Sequence, residues 1–524
     1  MGSGAKVGEV RGEEEFGGYG DDEDRSESKT SMGGVAQVIV MVGLPARGKT
    51  YIAKKLARYL NWVGVRTRVF SASYTTSATV SSHDFFDPSH LEGKAIRLRC
   101  QDTALEDALA WLGTKAGDVA VFDATNSTVE RRGVVRARVL ARGARCLFLE
   151  SVCDSDLIVD SLVREVGEHN PDYSQVSEGE AMEDFRERIR HYEEIYEPMA
   201  EAREGSSSFI KVFNTGENYL IHKIEGSLQS KIVYWVMNVH IVPRTIYLTR
   251  HGESEYNQLG KIGGDSELSP RGQQYARALA QYFHTESVAG LRVWTSRLRR
   301  TIQTSAHINA PQERWRALNQ IDAGWMENLT YEQMAEKFPE EFAARQQDKL
   351  SYRYPSGESY EDIVARLEPV MMELERQGNV LLVAHQAVLR CIMAYFLDRS
   401  DLGTEDLPYI EVPLHTLIKL TPQAYGCEAE FIKFPIEGRD TQWPAPWTPS
   451  NLGSCNFWIL ILFVCSFDVF NIILKIIIII NKKNAWGRRS QALSCTDSPK
   501  TYPEPQNLSF YIYNPLLTKT NLTL

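Results

Sequence analysis

The run Gly43-Leu44-Pro45-Ala46-Arg47-Gly48-Lys49-Thr50 follows the pattern GxxxxGK[ST]. Glycines in such a run let backbone N–H groups wrap phosphate oxygens, the lysine meets the β and γ oxygens of a nucleotide, and the Thr50 hydroxyl completes the shell of a bound Mg²⁺. Here the run follows the apolar residues 38–42 and precedes the amphipathic stretch 51–60, which is the strand, loop and helix context that mechanism needs. Further along, Phe122-Asp123-Ala124-Thr125-Asn126 puts a carboxylate at the end of the apolar run 119–122, where α/β sheets bind ligands. Asp123 would there orient a metal ion or an acceptor hydroxyl; a helix N-cap is the equally open alternative. Two histidines occupy similar places: His251, in Thr249-Arg250-His251-Gly252-Glu253 after the run 245–248, and His385, before Gln386 and after the run 380–384. Strand-end imidazoles can meet at one face, and an imidazole nitrogen can attack a phosphoryl group to form a phosphohistidine, dividing hydrolysis into two easier transfers.

The elements that must carry these residues are legible in the hydropathy pattern. Short apolar, β-branched runs alternate with longer amphipathic stretches from residue 35 onward, which argues for an α/β fold with a parallel sheet. A second such series opens at Thr245 after Pro243, so the border between two domains is expected near residue 240. At 524 residues the chain is too long for one core. With 43% hydrophobic and 24% charged residues it is not wholly disordered, collagen-like or a polytopic membrane protein. A net charge of −10 argues against gripping nucleic acid, which needs a surplus of Lys and Arg. Eight cysteines show no CxxC pair and no zinc-ligand spacing, and the start lacks the basic and apolar parts of a secretory signal, so a reducing, cytoplasmic setting is expected.

Residues 1–33 are rich in Gly, Ser and acid and read as a disordered arm. Residues 436–524 form an atypical tail whose run 457–480 is long enough to span a bilayer. Asp468 and Lys475 oppose insertion by about 2.5–3.5 kcal/mol each, which some twenty apolar side chains can outweigh. The basic flank at Lys482, Lys483, Arg488 and Arg489 would nevertheless place the folded domains outside the cytosol, in conflict with ATP chemistry, so a low-complexity tail is preferred to an anchor.

The stretches 43–62, 120–128, 149–154, 170–173 and 229–240, with most of 243–427, closely resemble the bifunctional 6-phosphofructo-2-kinase/fructose-2,6-bisphosphatases, and Arg-His-Gly at a strand end is the histidine phosphatase and phosphoglycerate mutase signature. The resemblance covers about four fifths of the chain. It implies an α/β P-loop kinase domain with a parallel sheet over 34–242, followed by a phosphoglycerate mutase-like histidine phosphatase domain over 243–435, and a homodimer formed through the kinase domains. It also implies ATP and Mg²⁺ at Gly43, Arg47, Gly48, Lys49 and Thr50, with Tyr425 on the nucleotide. Asp123 would be the catalytic carboxylate with Cys153 nearby, and Arg97, Thr125, Arg131, Arg188 and Tyr192 would hold fructose 6-phosphate. In the second domain His251 would be the nucleophile, with Arg250, Arg300 and His385 stabilising phosphoryl charge. Asn257 and Gly263 would complete the phosphate pocket, and Tyr331, Arg345, Lys349, Tyr360, Gln386 and Arg390 would bind the rest of fructose 2,6-bisphosphate.

Three positions depart from the family pattern. A Tyr-Arg-Arg element is replaced by Tyr74-Thr75-Thr76, and a family lysine by Gly167, each removing an ionic contact worth about 1.5–3 kcal/mol. The family's proton-donating glutamate is replaced by Gln320, and general acid catalysis is typically worth about 10²–10⁴ in rate. Glu327 is the acid in the same motif available for recruitment. The expected function is therefore bifunctional control of fructose 2,6-bisphosphate with both activities weakened; the competing reading is a decayed ATP- and sugar-phosphate-binding regulatory relative.

Overall fold

The computed structural model describes residues 35–72, 83–169, 177–214, 216–239, 244–397, 404–423 and 426–440. The expectations for the arm 1–33, for Thr75, Thr76 and Tyr425, and for the tail from 441 lie outside these residues. Among the described residues no helix is long and apolar enough to cross a membrane.

The strands in chain order are β1 (Gln37–Val42), β2 (Thr67–Ser71), β3 (Val119–Asp123), β4 (Arg145–Val152), β5 (Ser208–Phe213), β6 (Asn218–His222), β7 (Ile246–Arg250), β8 (Arg292–Thr295), β9 (Gln312–Arg314), β10 (Val380–Ala384), β11 (Thr416–Pro422) and β12 (Cys427–Lys433). They form two six-stranded sheets, ordered β2-β3-β1-β4-β5-β6 and β12-β11-β7-β10-β8-β9. In the first, β1 lies between parallel neighbours β3 and β4, and only β6 runs antiparallel. Every residue of β1 is buried, as expected of a central parallel strand covered by helices on both faces. In the second, β10 pairs in parallel with β7 and β8, while β11 and β12 close one edge in antiparallel fashion.

Chain order sets where ligands bind. From β1 the chain leads to neighbours on both sides, so the crevice at the carboxyl ends of β1, β3 and β4 is a topological switch point. Gly43, Asp123 and Cys153 lie at those ends. The carboxyl ends of the adjacent β7 and β10 carry Arg250 with His251, and His385. The strand carrying Arg250 runs from Ile246 through Arg250 itself, slightly later than the expected 245–248, because pairing with β10 continues to Arg250 opposite Ala384.

The helix Lys49–Trp62 leaves the first crevice and packs against the helix Gln386–Phe396, which leaves the second. The Trp62 indole N–H donates to the Cys391 carbonyl at 2.8 Å. Between them lies a buried ionic knot: Glu375 accepts from Lys55 Nζ at 2.6 Å, from the Tyr395 hydroxyl at 2.6 Å, and from Arg244. Two cations and a phenol hold the Glu375 carboxyl down at about 2 despite burial that pushes it up. A second pair, Lys231 with Glu368 at 2.7 Å, is joined by the Tyr59 hydroxyl at 2.6 Å. One apolar cluster runs through both sheets' helices, from Leu56 and Trp235 to Leu389 and Ile392.

Glu375→Gln is expected to destabilise the protein by about 3–5 kcal/mol, because Lys55 and Arg244 are then buried without their anion. Since the folded carboxyl lies below its ordinary value of 4.5, this contribution is full above that value and fades as pH falls towards about 2. Denaturant unfolding of both proteins at neutral and acid pH measures it; equal stability at neutral pH contradicts the role given to the knot.

Candidate functional sites

The loop after β1 turns on left-handed backbone, which Gly43 at φ +136° and Gly48 at +77° adopt freely and Ala46 at +50° adopts only under strain. A Cβ on Gly43 would stand 2.5 Å from the Ser151 carbonyl oxygen, so only glycine lets β1 and β4 flank the loop this closely. The Gly43 N–H is bound to the Thr125 carbonyl at 3.0 Å, and Ser151 Oγ donates to the Arg47 carbonyl. Lys49 folds back to donate to the Leu44 carbonyl, and burial lowers its ammonium to about 8, with Asp123 opposing the shift. Thr50 Oγ1 donates to Asp123 Oδ2 at 2.8 Å, and Ser71 Oγ contacts the same oxygen at 3.3 Å. Burial raises the Asp123 carboxyl above its ordinary value, against Lys49 and the two hydroxyls. Asp123 is thus no helix N-cap; Thr128 caps the helix Val129–Ala141. Cys153 is buried just past β4, its Sγ 3.9 Å from the Ser155 carbonyl.

Three of the residues expected around a sugar phosphate gather on a platform that sequence reasoning missed. The guanidinium of Arg188 stacks 3.8 Å from the centre of the Phe86 ring, Arg97 lies 5.7 Å from the same ring, and Tyr192 packs on it at 6.0 Å. The adjacent aromatic pair Phe85-Phe86 was the available signal. Arg131 pairs with Asp102 at 2.7 Å, yet its Nε and Nη2 are buried with no hydrogen-bond partner among the described residues. Gly167 sits inside the helix Asp156–His169.

The second site is an open cleft lined by Arg250, His251, Asn257, Lys261, Gly263, Arg300, Gln320, Tyr331 and Gln386 among others. His251 Nδ1 lies 2.7 Å from the Gly252 carbonyl, which can only accept, so Nδ1 carries the hydrogen and the neutral ring keeps a lone pair on Nε2. Burial, then Arg300 and Arg250, holds this imidazole well below its ordinary value. The His385 ring centre is 5.2 Å from that of His251. Arg300 Nη2 approaches His385 Nδ1 at 3.4 Å, and His385 Nε2 donates to Ser296 Oγ at 2.9 Å. His385 too is pushed well below its usual value, by burial and Arg300, and Ser296 is a partner no motif announced. Burial brings Arg300 down to about 10, leaving it charged at neutral pH.

Gly263 and Gly264 form a left-handed turn at φ +69° and +63° against Glu327, whose carboxylate accepts the N–H groups of Gly264 and, at 3.0 Å, Ala323. Arg300 Nη1 donates to the Gly264 carbonyl at 2.7 Å. Glu327 is thus engaged as an acceptor by two backbone donors. Gln320 lines the cleft with its Oε1 buried and unpaired among the described residues. Asn257 Oδ1 closes a capping box with Ser254.

Behind Tyr331 and Tyr354, which line the cleft, lies a group of cations. Arg345 donates to the Tyr354 hydroxyl at 2.8 Å and approaches that of Tyr331 at 3.4 Å; Arg390 donates to the Tyr360 hydroxyl at 3.1 Å and the Ile410 carbonyl at 2.8 Å; Lys349 reaches the Pro408 carbonyl at 3.3 Å. All these acceptors are neutral. Burial, with Arg390 and Arg345 adding to it, lowers the Lys349 ammonium to about 7. Around the whole cleft, Arg250 Nε, Arg345 Nη1 and Gln386 Nε2 are buried donors with no acceptor among the described residues. Such an arrangement can hold a doubly phosphorylated anion and offer one phosphoryl group to a neutral imidazole.

Residues 24–243 match the family model described as 6-phosphofructo-2-kinase, and residues 246–434 match that of the histidine phosphatase superfamily (branch 1). The chain is 51% identical over 412 residues to the 6-phosphofructo-2-kinase/fructose-2,6-bisphosphatase of Aquarana catesbeiana, covering 78% of this chain and 87% of the relative. It is 49% identical over 411 residues to 6-phosphofructo-2-kinase/fructose-2,6-bisphosphatase 1 of Homo sapiens, covering 78% and 87%. Among solved structures, the alpha-ribazole phosphatase of Shigella flexneri aligns with 37% of this chain and 99% of its own at 22% identity and a TM-score of 0.33.

Two outcomes are expected of these sites. Lys49→Met removes the buried ammonium facing the loop and should abolish MgATP binding in equilibrium titration; unchanged affinity would remove the phosphate-cradling role from residues 43–50. Because burial brings Lys349 down to about 7, the dissociation constant at these cations of inorganic sulfate, whose charge is constant in this range, should rise as pH increases beyond 7, by up to about tenfold per unit. Lys349→Arg should flatten that rise, and an unchanged pH dependence in the variant would show that another group titrates.

Proposed function

The chain belongs to the 6-phosphofructo-2-kinase/fructose-2,6-bisphosphatase family, and on that footing we propose that it both makes and breaks the 2-phosphate of fructose 2,6-bisphosphate. In the amino-terminal domain ATP phosphorylates fructose 6-phosphate at the 2-hydroxyl. The backbone of 43–48 and Lys49 hold the nucleotide phosphates, and Asp123 orients the acceptor hydroxyl and takes its proton, a task suited to a carboxylate whose basicity burial has raised. The hydroxyl oxygen of Thr50 suits a hard divalent cation, and Mg²⁺ held there would neutralise charge on the nucleotide phosphates. Arg97, Arg188 and Tyr192 on the Phe86 platform, with Thr125 and the spare donors of Arg131, receive the sugar phosphate.

In the second domain Nε2 of His251 attacks the 2-phosphoryl group, forming the N–P bond as the sugar O–P bond breaks, and water then hydrolyses the phosphohistidine. Arg250, Arg300 and Gln386 donate to the phosphoryl oxygens, while Arg345, Lys349 and Arg390 hold the 6-phosphate. Proton supply to the departing alkoxide is the weak step: Gln320 stands in the cleft as an amide, and both oxygens of Glu327 accept backbone N–H groups. The observation that carries the reading is the set of buried, unsatisfied donors around a neutral, Nδ1-protonated His251. Two copies would pair through the kinase domain, whose edge strand β6 exposes Leu220 and Ile221, and dependence on ATP supports a cytoplasmic setting.

Gln320, as an amide in the acid's place, favours a second reading in which the chain binds both ligands but no longer turns them over. Incubation with fructose 2,6-bisphosphate labelled at the 2-phosphate separates the two. The bifunctional reading expects label on His251, slow release of phosphate, no label on His251→Ala, and a turnover raised about 10²-fold or more in Gln320→Glu. Binding without any label on protein or in free phosphate would leave the regulatory relative. Turnover in the unmodified protein as fast as in Gln320→Glu would mean that another group supplies the proton.

A further inference from the structure

Arg250 ends β7 beside His251 and is almost fully buried, so every one of its five N–H donors needs an acceptor. Its Nη1 donates to the Val412 carbonyl at 3.1 Å and to Asp440 Oδ2 at 2.8 Å, and its Nη2 to Asp440 Oδ1 at 3.1 Å. The carboxylate of Asp440 therefore holds the outer, Nη1–Nη2 edge of the guanidinium in a two-point grip. Nε remains buried with no partner among the described residues. The edge made by Nε–H and the second Nη2 hydrogen is the one left for another anion.

Asp440 reaches this position through a strap that the domain fastens at several points. The Phe434 N–H donates to the His415 carbonyl at 3.1 Å, and His415 Nδ1 contacts the Ile436 carbonyl at 2.9 Å. The Arg439 N–H donates to Glu253 Oε1 at 2.7 Å, and its Nη1 to the Gln258 carbonyl at 2.6 Å. Glu253 is fully buried and also accepts from Ser269 and Gln258, so the strap is tied to a fixed point two residues past His251. Gly438 passes so close to Leu414 and the His415 ring that an added Cβ would stand 2.7 and 2.9 Å from them. A side chain there must displace the Leu414 and His415 side chains or shift the strap that carries Asp440.

We propose that Asp440 is a positioning residue of the phosphatase site: it clamps one edge of Arg250 so that the other edge, Nε with Nη2, is aimed at the phosphoryl oxygens in transit to His251. The inference rests on the reading that Arg250 acts on the transferred phosphoryl group. A guanidinium is planar and binds anions best edge-on through two parallel N–H bonds. Occupying one edge with a fixed carboxylate leaves a single orientation for the other, and it offsets the burial of the cation without consuming the donors the phosphoryl group needs. Without the clamp, the buried guanidinium can rotate towards Val412 or present its outer edge, and a misplacement of about 1 Å in such a group can reduce rate on the order of 10²-fold. The opposite role, a carboxylate that occupies the phosphoryl group's place on Arg250, predicts the opposite sign.

The test is single-turnover labelling of His251 by fructose 2,6-bisphosphate in the full-length protein, with MgATP affinity at the distant first site as the control for folding. Asp440→Asn should lower the rate constant of phosphohistidine formation by about 10-fold or more while the half-saturating substrate concentration changes less than about threefold. Asp440→Glu, which keeps the charge, should recover a substantial part of the rate, and Gly438→Ala should fall in the same direction as Asp440→Asn. An unchanged rate constant in Asp440→Asn, or a rate that rises together with tighter substrate binding, would overturn the proposal, the latter in favour of an occluding carboxylate. Absence of label on the unmodified protein would instead refute the phosphohistidine reading itself, independently of Asp440.

Discussion

Buried cations held by neutral acceptors recur in both sites, and anion binding depends on them. Arg345, Lys349 and Arg390 are held by tyrosine hydroxyls and backbone carbonyls, Lys49 by the Leu44 carbonyl, and Arg300 by the Gly264 carbonyl. Taking a cation out of water is unfavourable, and the strain shows in Lys349 brought to about 7, Lys49 to about 8 and Arg300 to about 10. An anionic ligand in each site would offset the burial of that site's own cations. The same environment keeps His251 and His385 neutral, so the desolvation that favours phosphate binding also leaves an imidazole nitrogen free to attack.

Such sites exist only if the scaffold overrides their local cost. Both open at the carboxyl ends of buried parallel strands, where backbone groups and helix starts converge, and the helix leaving each crevice packs against the other. Glu375 joins them through Lys55 on the helix that begins at Lys49 and Tyr395 on the helix that begins at Gln386. Here two cations share one anion, whereas Arg345, Lys349, Arg390 and Arg300 in the second site are held by neutral acceptors.

The parts legible in the sequence are those encoded by contiguous residues. The loop 43–50 between a strand and a helix, Asp123 and the two histidines at strand ends, and the two α/β series all depend on local pattern and appear where expected. The aromatic platform under Arg97 and Arg188, the Ser296 contact behind His385, the Lys55–Glu375–Arg244 knot and the Asp440 clamp join residues far apart in the chain, and no spacing rule connects them. Glu327 shows a related limit. Its place near Gln320 marks it as an available acid, whereas the fold uses it to brace the Gly263–Gly264 turn, a role visible only once Gly264 and Ala323 are seen to donate to it.

Burial among arginines keeps His251 neutral with its hydrogen on Nδ1, leaving Nε2 as the nucleophile. Nitrogen-15 NMR of the histidine side chains, titrated from about pH 8 to pH 5.5 and assigned with His251→Ala, measures this directly. The His251 resonances should stay those of the neutral Nδ1–H tautomer through the ordinary titration range near 6.5. An imidazolium at neutral pH, or the Nε2–H tautomer, would contradict it.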